Sequence, residues 1–372
     1  MNWECEMRLK LLSLLIIAIL FLGGCQSEES NQESTSDYDF SAVATKINAF
    51  IAEVEAVKGA SYILVDKDSG IIHEAAFGNH TLETIVLIAS TSKVPSSGIV
   101  MALVDDGLLA LDDSLCNLTT WDCSKPGITM EQLISNTSGL PGLYSHGMPY
   151  IPHACEFDPT ADLEDCAQTI YEADVGDDLA APGSTFRYGG GQWQVAGGVA
   201  EIVSRKTWTE LVNEHLVDPC NLEVFEYGNP FSNKPAWTGD PDSLVGQTNP
   251  VIEGGAISNL HDYAKILMMH LNNGMCGDNR VLSEASVLEM RVDRGTAAGG
   301  SAYGLGWWIT ASESASAPTL FTDPGMYGTL AWIDTERNYA GYLALETQSA
   351  DGIALYSRIR PLIEAELDSH TD

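Results

Sequence analysis

Ala89-Ser90-Thr91-Ser92-Lys93-Val94-Pro95 is the stretch on which the reading of this chain turns. The polar sequence ends at Ser90 and the apolar run Gly98-Ile99-Val100-Met101-Ala102-Leu103-Val104 follows, so the pattern predicts a helix opening at or before Ser90. Pro95 falls in its first turn, where a proline lacks only an N–H that would go unbonded anyway. Residues three apart share one helix face, which sets the Lys93 amine beside the Ser90 hydroxyl. A helix N-terminus adds partial positive charge and free N–H groups at the same point. A serine hydroxyl is a weak nucleophile at neutral pH and needs an adjacent base. A lysine can be that base only if desolvation or a nearby cation lowers its pKa. The S-x-x-K pattern is common, and alone it describes a serine capping a surface helix. Its weight comes from the rest of the chain.

The 372 residues suffice for one large domain or two lobes, and 45% hydrophobic content is that of a globular protein. A formal net charge of -34 argues against nucleic acid and against anionic membrane surfaces as partners. A solvated acidic shell accounts for it. The charge says little about any one site, because salt screens it beyond about 8–10 Å.

Arg8 and Lys10 precede the apolar run Leu11 to Leu22, which is shorter than the ~20 residues of a spanning helix. Leu22-Gly23-Gly24-Cys25 follows. Basic flank, apolar run and box, in that order, resemble a bacterial lipoprotein signal, in which Cys25 is lipidated and becomes the first residue. Residues 1–25 are therefore expected to be a signal peptide, and 26–38, rich in Ser, Glu and Asn, a flexible tether. The expected location is the bacterial cell envelope, on the periplasmic or outer side, held to a membrane through Cys25.

After Cys5 and Cys25 the chain carries Cys116, Cys123, Cys155, Cys166, Cys220 and Cys276. An exported, even-numbered set favours disulfides. Proximity favours Cys116–Cys123 and Cys155–Cys166, leaving Cys220–Cys276, although spacing does not fix connectivity. His146, His153 and Cys155 lack the paired spacing of a zinc site. Neither a metal nor a cofactor is expected.

In order, the apolar spacing predicts a helix over 39–58 and a hairpin over 61–77, then the Ser90 helix ending near 105–107. Residues 128–142 read as a helix running into a Gly/Pro turn, and 144–179 as an acidic, cysteine-bearing insertion. Further helices are expected over 193–204, 262–272 and 283–291, a strand over 303–309, a hairpin of 328–334 with 340–346, and a closing helix over 352–367. Strands at both ends with helices between imply an α/β fold of the α+β type. The N- and C-terminal segments build an antiparallel sheet flanked by helices, with a mostly helical lobe inserted. Its folded domain runs over 39–368, the sheet lobe being about 39–88 and 300–368 and the helical lobe about 89–299. Ser90 then lies at the lobe junction, where pockets form.

Three segments together resemble the serine β-lactamases, penicillin-binding proteins and related esterases of the class C and class VIII type. They are Ser90-Thr91-Ser92-Lys93, Pro182-Gly183-Ser184-Thr185-Phe186-Arg187-Tyr188, and Asp323-Pro324-Gly325-Met326-Tyr327-Gly328. The resemblance extends over about residues 40–367 and implies a β-lactamase/transpeptidase-like fold. It implies that Ser90 attacks a carbonyl to form an acyl-enzyme and that Lys93 and Tyr188 share the proton work. It also implies an oxyanion hole from the backbone N–H groups of Ser90 and Met326, with Gly325 beside it.

Two departures stand out. The family's Tyr-x-Asn is Tyr188-Gly189-Gly190 here, which removes an amide that Gln192 would have to replace. Asp323 stands where relatives carry Lys or His. At an effective dielectric of 20, charges 4 Å apart interact by about 4 kcal/mol, so an ionised Asp323 would repel a substrate carboxylate. The expected substrate is a small ester or amide without a carboxylate beside the scissile bond, and the expected enzyme is a monomer. The competing expectations are a β-lactamase, a D-amino-acid peptidase, or a catalytically inactive binding protein that kept the fold.

Overall fold

Tyr62-Ile63-Leu64-Val65, Ala331-Trp332-Ile333 and Tyr342-Leu343-Ala344 are apolar without a break because the sheet they build is buried on both faces. The computed structural model describes residues 38–123, 125, 127–142, 150–231, 239–244, 246–310 and 317–370. Cys25, the tether up to residue 37 and His146 lie outside the described residues.

The elements that position the site are α1 (Ser41–Glu53), β1 (Gly59–Asp66), β2 (Gly70–Gly78) and α2 (Lys93–Asp105). They continue with α3 (Leu163–Glu172), α4 (Gly191–Ser204), α5 (Leu260–Leu271), β3 (Trp308–Thr310) and β4 (Leu320–Pro324). The chain then makes β5 (Leu330–Asp334), β6 (Tyr339–Ala344) and α6 (Ser349–Asp368). The six-stranded sheet has the order β2-β1-β6-β5-β4-β3, and each neighbouring pair is antiparallel. The two ends of the chain therefore meet at the β1–β6 pair, in the register Ile63 opposite Tyr342.

Alternation along the strands divides the core. Tyr62, Leu64, Trp332 and Leu343 pack under α1 and α6, against Val43, Ile47, Phe50, Leu355, Ile359 and Ile363. Ile63, Val65, Ala331, Ile333 and Tyr342 face the other way, into the larger core with α2, α4 and α5. A three-stranded sheet of Val86–Leu87, Ala256–Ser258 and Glu226–Tyr227 leads into Ser90.

Three local readings change. Ser90 lies in a 3-10 turn, Ala89–Ser92, and the α-helix begins at Lys93. Over 303–309 the strand is confined to the end: Gly304 N–H donates to Trp307 O (2.8 Å) and Gly306 has φ +86°, so a turn interrupts it. The 128–142 helix is only Met130–Ile134, opened by a Thr129/Gln132 capping box. The 144–179 insertion contains α3, capped by Asp162, which sequence periodicity did not single out. Disulfides join Cys116 to Cys123, Cys155 to Cys166 and Cys220 to Cys276. Cys155 is thereby removed as a zinc ligand.

Candidate active site

The turn that carries Ser90 is fastened from several sides. Ala89, just before it, sits at φ +48°, a left-handed conformation that costs an L-residue about 1–2 kcal/mol and holds Ser90 up at the head of α2. Thr91 is buried, and its Oγ1 meets Thr329 Oγ1 at 2.8 Å and donates to Asp323 O at 3.1 Å. Thr329 Oγ1 also reaches Ile88 O (2.8 Å). From α5, Tyr263 donates to Thr91 O (2.8 Å), and Tyr227 donates to Ser92 O (2.7 Å). The turn after β4 presses against this group at Gly325. A Cβ there would stand 2.1 Å from Thr329 Oγ1, 2.3 Å from Ile88 O and 2.8 Å from Thr91 Oγ1, so only glycine fits.

Lys93, 1% exposed, lies beneath the hydroxyl: its Nζ is 3.1 Å from Ser90 Oγ and donates to Glu253 O at 2.9 Å. The Glu253 carboxylate stands 3.6 Å from the same nitrogen. The amine lies 4.8 Å from the centre of the Tyr188 ring and 5.7 Å from that of Trp193. The Tyr188 phenol interacts electrostatically with Ser90 and with Lys93. Its ring leans on Trp308 (4.9 Å between centroids) and edges Tyr303 (6.0 Å).

The loop before α4 delivers Tyr188 because Asn136 and Gln192 hold it from behind. Arg187 N–H donates to Asn136 O (2.8 Å) and Gly189 N–H to Asn136 Oδ1 (3.0 Å). The Gln192 amide donates to Arg187 O (2.7 Å), Gly189 O (2.9 Å) and Asn136 Oδ1 (3.1 Å), and accepts from Ser138. Gln192 therefore does not replace the missing amide beside the lysine; it is spent on the loop's own backbone. Gly190 instead gives its N–H to Glu253 Oε2 at 2.6 Å.

Asp323 faces the site from β4, opposite Ala331, but from below. It is 0% exposed; Oδ2 accepts the Val94 N–H at 3.3 Å, and Oδ1 has no partner among the described residues. Burial pushes its carboxyl well above the usual carboxylate range, against the pull of Lys93 and the Val94 N–H. Burial thus works against the fixed negative charge expected there. The lysine also differs from expectation. Burial alone pushes the Lys93 ammonium down, but Tyr188, Glu253 and Asp323 outweigh it and hold the lysine above its ordinary value. Burial likewise pushes the Tyr188 phenol up, and Lys93 and Ser90 recover only part of that shift. At rest, both candidate bases hold their protons.

Met326 follows Gly325 in a turn closed by Gly328 N–H to Gly325 O (3.1 Å). The N–H groups of Ser90 and Met326 make no backbone hydrogen bond among the described residues. Gly325 N–H is used on Thr329 O (2.8 Å), so it is a packing residue rather than a donor to a ligand. Sequence reasoning gave no role to Glu253, Glu156 or Trp308, although Glu253-Gly254-Gly255-Ala256-Ile257-Ser258 is a further stretch that resembles the family. A lone acid between Val251-Ile252 and Gly254-Gly255 was the local signal for Glu253.

A serine hydroxyl, an amine and a phenol brought together from the head of one helix and a distant loop is the arrangement that the family resemblance implies. The sequence profile of that family, described as Beta-lactamase, matches residues 47–360. The chain belongs to the Beta-lactamase family. Its curated relatives include penicillin-binding protein 4 of Amycolatopsis lactamdurans, 25% identical over 285 residues, which are 68% of this chain and 70% of that one. Among solved structures, a candidate beta-lactamase from Bacteroides dorei DSM 17855 superposes with a TM-score of 0.71 at 24% identity, covering 89% of this chain and 99% of that one. EstCE1, a hydrolase with promiscuous acyltransferase activity, superposes with a TM-score of 0.68 at 18% identity, covering 86% and 97% of the two chains. The family's members are typically serine hydrolases, and its fold is the mixed α/β fold described above.

Proposed function

We propose that this protein is a lipid-anchored, monomeric serine hydrolase that cleaves ester or amide bonds through an acyl-enzyme on Ser90. The observation that carries the reading is the 3.1 Å approach of Lys93 Nζ to Ser90 Oγ, with Tyr188 over the same amine. The anchor rests on the order of Arg8, Lys10, the apolar run and Cys25.

In the reaction, Ser90 Oγ attacks the carbonyl carbon and its proton passes to the Tyr188–Lys93 pair. The developing oxyanion lies at the N–H groups of Ser90 and Met326. The pair returns the proton to the leaving alcohol or amine as the acyl bond to Ser90 remains. Water then attacks the ester, giving its proton to the same pair, and Ser90 leaves with a proton. Because Lys93 and Tyr188 both rest protonated, the reactive enzyme has lost one proton, and the rate climbs with pH.

Lys93 is committed to Glu253, and the strand position facing it bears the buried acid Asp323. Neither offers a free cation to a substrate carboxylate, which favours neutral or cationic esters and amides. The hydrolase and acyltransferase chemistry named for EstCE1 is consistent with such substrates. A panel of short-chain nitrophenyl esters, amino-acid amides and a chromogenic cephalosporin tests this. Turnover of esters or amides, with little of the cephalosporin, is expected. Efficient cephalosporin hydrolysis with no ester or amide turnover would contradict it.

A further inference from the structure

A pair of carboxyls lies behind the lysine, contributed by two segments that the Ser90 chemistry does not itself call for. Glu253 is 7% exposed; its Oε2 accepts the Gly190 N–H at 2.6 Å and stands 3.6 Å from Lys93 Nζ. Glu156, 2% exposed, interacts through its carboxyl with that of Glu253, and its Oε1 meets no partner among the described residues.

The Glu156 segment is built to be there. The Cys155–Cys166 disulfide ties the preceding residue to α3. Asn249 Nδ2 donates to Cys155 O and Asp158 O (both 2.8 Å), and Asn229 Nδ2 donates to Glu156 O (2.8 Å). Gly190 has φ +86° and ψ -170°, a conformation open essentially to glycine, and it aims the N–H at Glu253.

Two interacting carboxyls in a buried interior do not both ionise readily; one of them keeps its proton. The Glu253 carboxylate accepts the Gly190 N–H and faces the Lys93 ammonium as an ion-pair partner. Among the described residues the Glu156 carboxyl meets no donor besides its partner. The negative charge therefore settles on Glu253 and the proton on Glu156. We propose that Glu253 is a positioning residue for Lys93, and that protonated Glu156 holds Glu253 in place, so that the pair supplies the single negative charge which neutralises and aims the buried lysine. This rests on the Ser90–Lys93–Tyr188 reading above. The titratable groups facing Lys93 are Tyr188 from its loop, Asp323 from β4, Glu253 and, through Glu253, Glu156.

The test is the pH dependence of Ser90 labelling by a fluorophosphonate, in the full-length protein and two isosteric variants. Glu253→Gln keeps an acceptor for the Gly190 N–H but removes the charge. Its acid limb is expected to move down by about 1–3 pH units, the usual effect of one close charge. Glu156→Gln keeps a donor to Glu253, and its limb is expected to stay where it is. Glu253→Asp, which keeps the charge but retracts it by one methylene, should slow labelling without moving the limb. An unmoved limb in Glu253→Gln, or the reverse pattern with Glu156→Gln shifting instead, overturns the proposal.

If the unmodified protein is not labelled at all, the hydrolase reading fails. The pair is then judged by infrared spectra at neutral pH. Loss of one protonated-carboxyl band from wild type to Glu156→Gln supports it, and an unchanged band overturns it.

Discussion

Replacing Gly325 by alanine tests how tightly the strand turn is pressed onto the nucleophile. The new methyl would lie 2.1 Å from Thr329 Oγ1 and 2.3 Å from Ile88 O, whereas ordinary contacts begin a full ångström further out. Ile88 O is backbone, so the turn itself has to retreat. In retreating it strains the Thr91–Thr329 and Thr329–Ile88 hydrogen bonds, both 2.8 Å long and buried. Overpacking costs about 1–3 kcal/mol and a buried polar group left unpaired a similar amount, so a stability loss of about 2–5 kcal/mol is expected. Moving the turn by ~1 Å also moves Met326 away from Ser90, and a misplacement of that size costs on the order of 100-fold in rate. Denaturant unfolding measures the first effect, and the fluorophosphonate labelling rate at a temperature where both proteins are folded measures the second. Gly98→Ala in α2 is the control, since nothing lies within 4 Å of its added methyl. It should stabilise the helix by roughly 0.5–1 kcal/mol and leave labelling unchanged. A Gly325→Ala protein as stable and as reactive as the wild type would refute the packing argument.

Both candidate bases are held protonated, so ester turnover should rise with pH, about tenfold per unit on the acid limb, as the loss of a single proton requires. A rate that is flat or falls from neutral into alkaline pH would contradict the bookkeeping. Burial pushes the Glu201 carboxyl up to about 7 from an ordinary 4.5, so the folded state holds a proton that the unfolded chain has lost across that window. Stability should therefore fall by about 3 kcal/mol as pH rises from below 4.5 through 7, and Glu201→Gln should flatten the dependence. Removing the Cys155–Cys166 bridge with paired alanines frees an 11-residue loop and should lower stability by about 2–4 kcal/mol in chemical denaturation. An unchanged denaturation midpoint would show that the segment is held without it.

The parts of this site legible in the sequence are those whose meaning is local. Ser90 and Lys93 are one helical turn apart, so periodicity alone brings them together. The buried strands and the closing helix announce themselves by apolar spacing, and the terminal segments pair as the hairpin signals suggest. Tyr188 and Asp323 needed the family resemblance, because nothing near them in the chain says what they face. The charge states were not legible. A carboxylate on paper is a charge, but Asp323 ends buried beneath α2, where desolvation works against that charge. Glu253 and Glu156 are 97 residues apart, and no local pattern pairs them. The loop at Gly190 also hid its logic: a missing amide reads as loss until Gly190 N–H is seen on Glu253.

The central claim is that the Ser90 hydroxyl is made reactive by Lys93 and Tyr188. Peptide mapping after treatment with a fluorophosphonate tests it most directly. A single adduct on the peptide that carries Ser90, absent in Ser90→Ala and strongly reduced in Lys93→Met and Tyr188→Phe, is the predicted result. No adduct, or one that persists when Ser90 is alanine, would contradict the account.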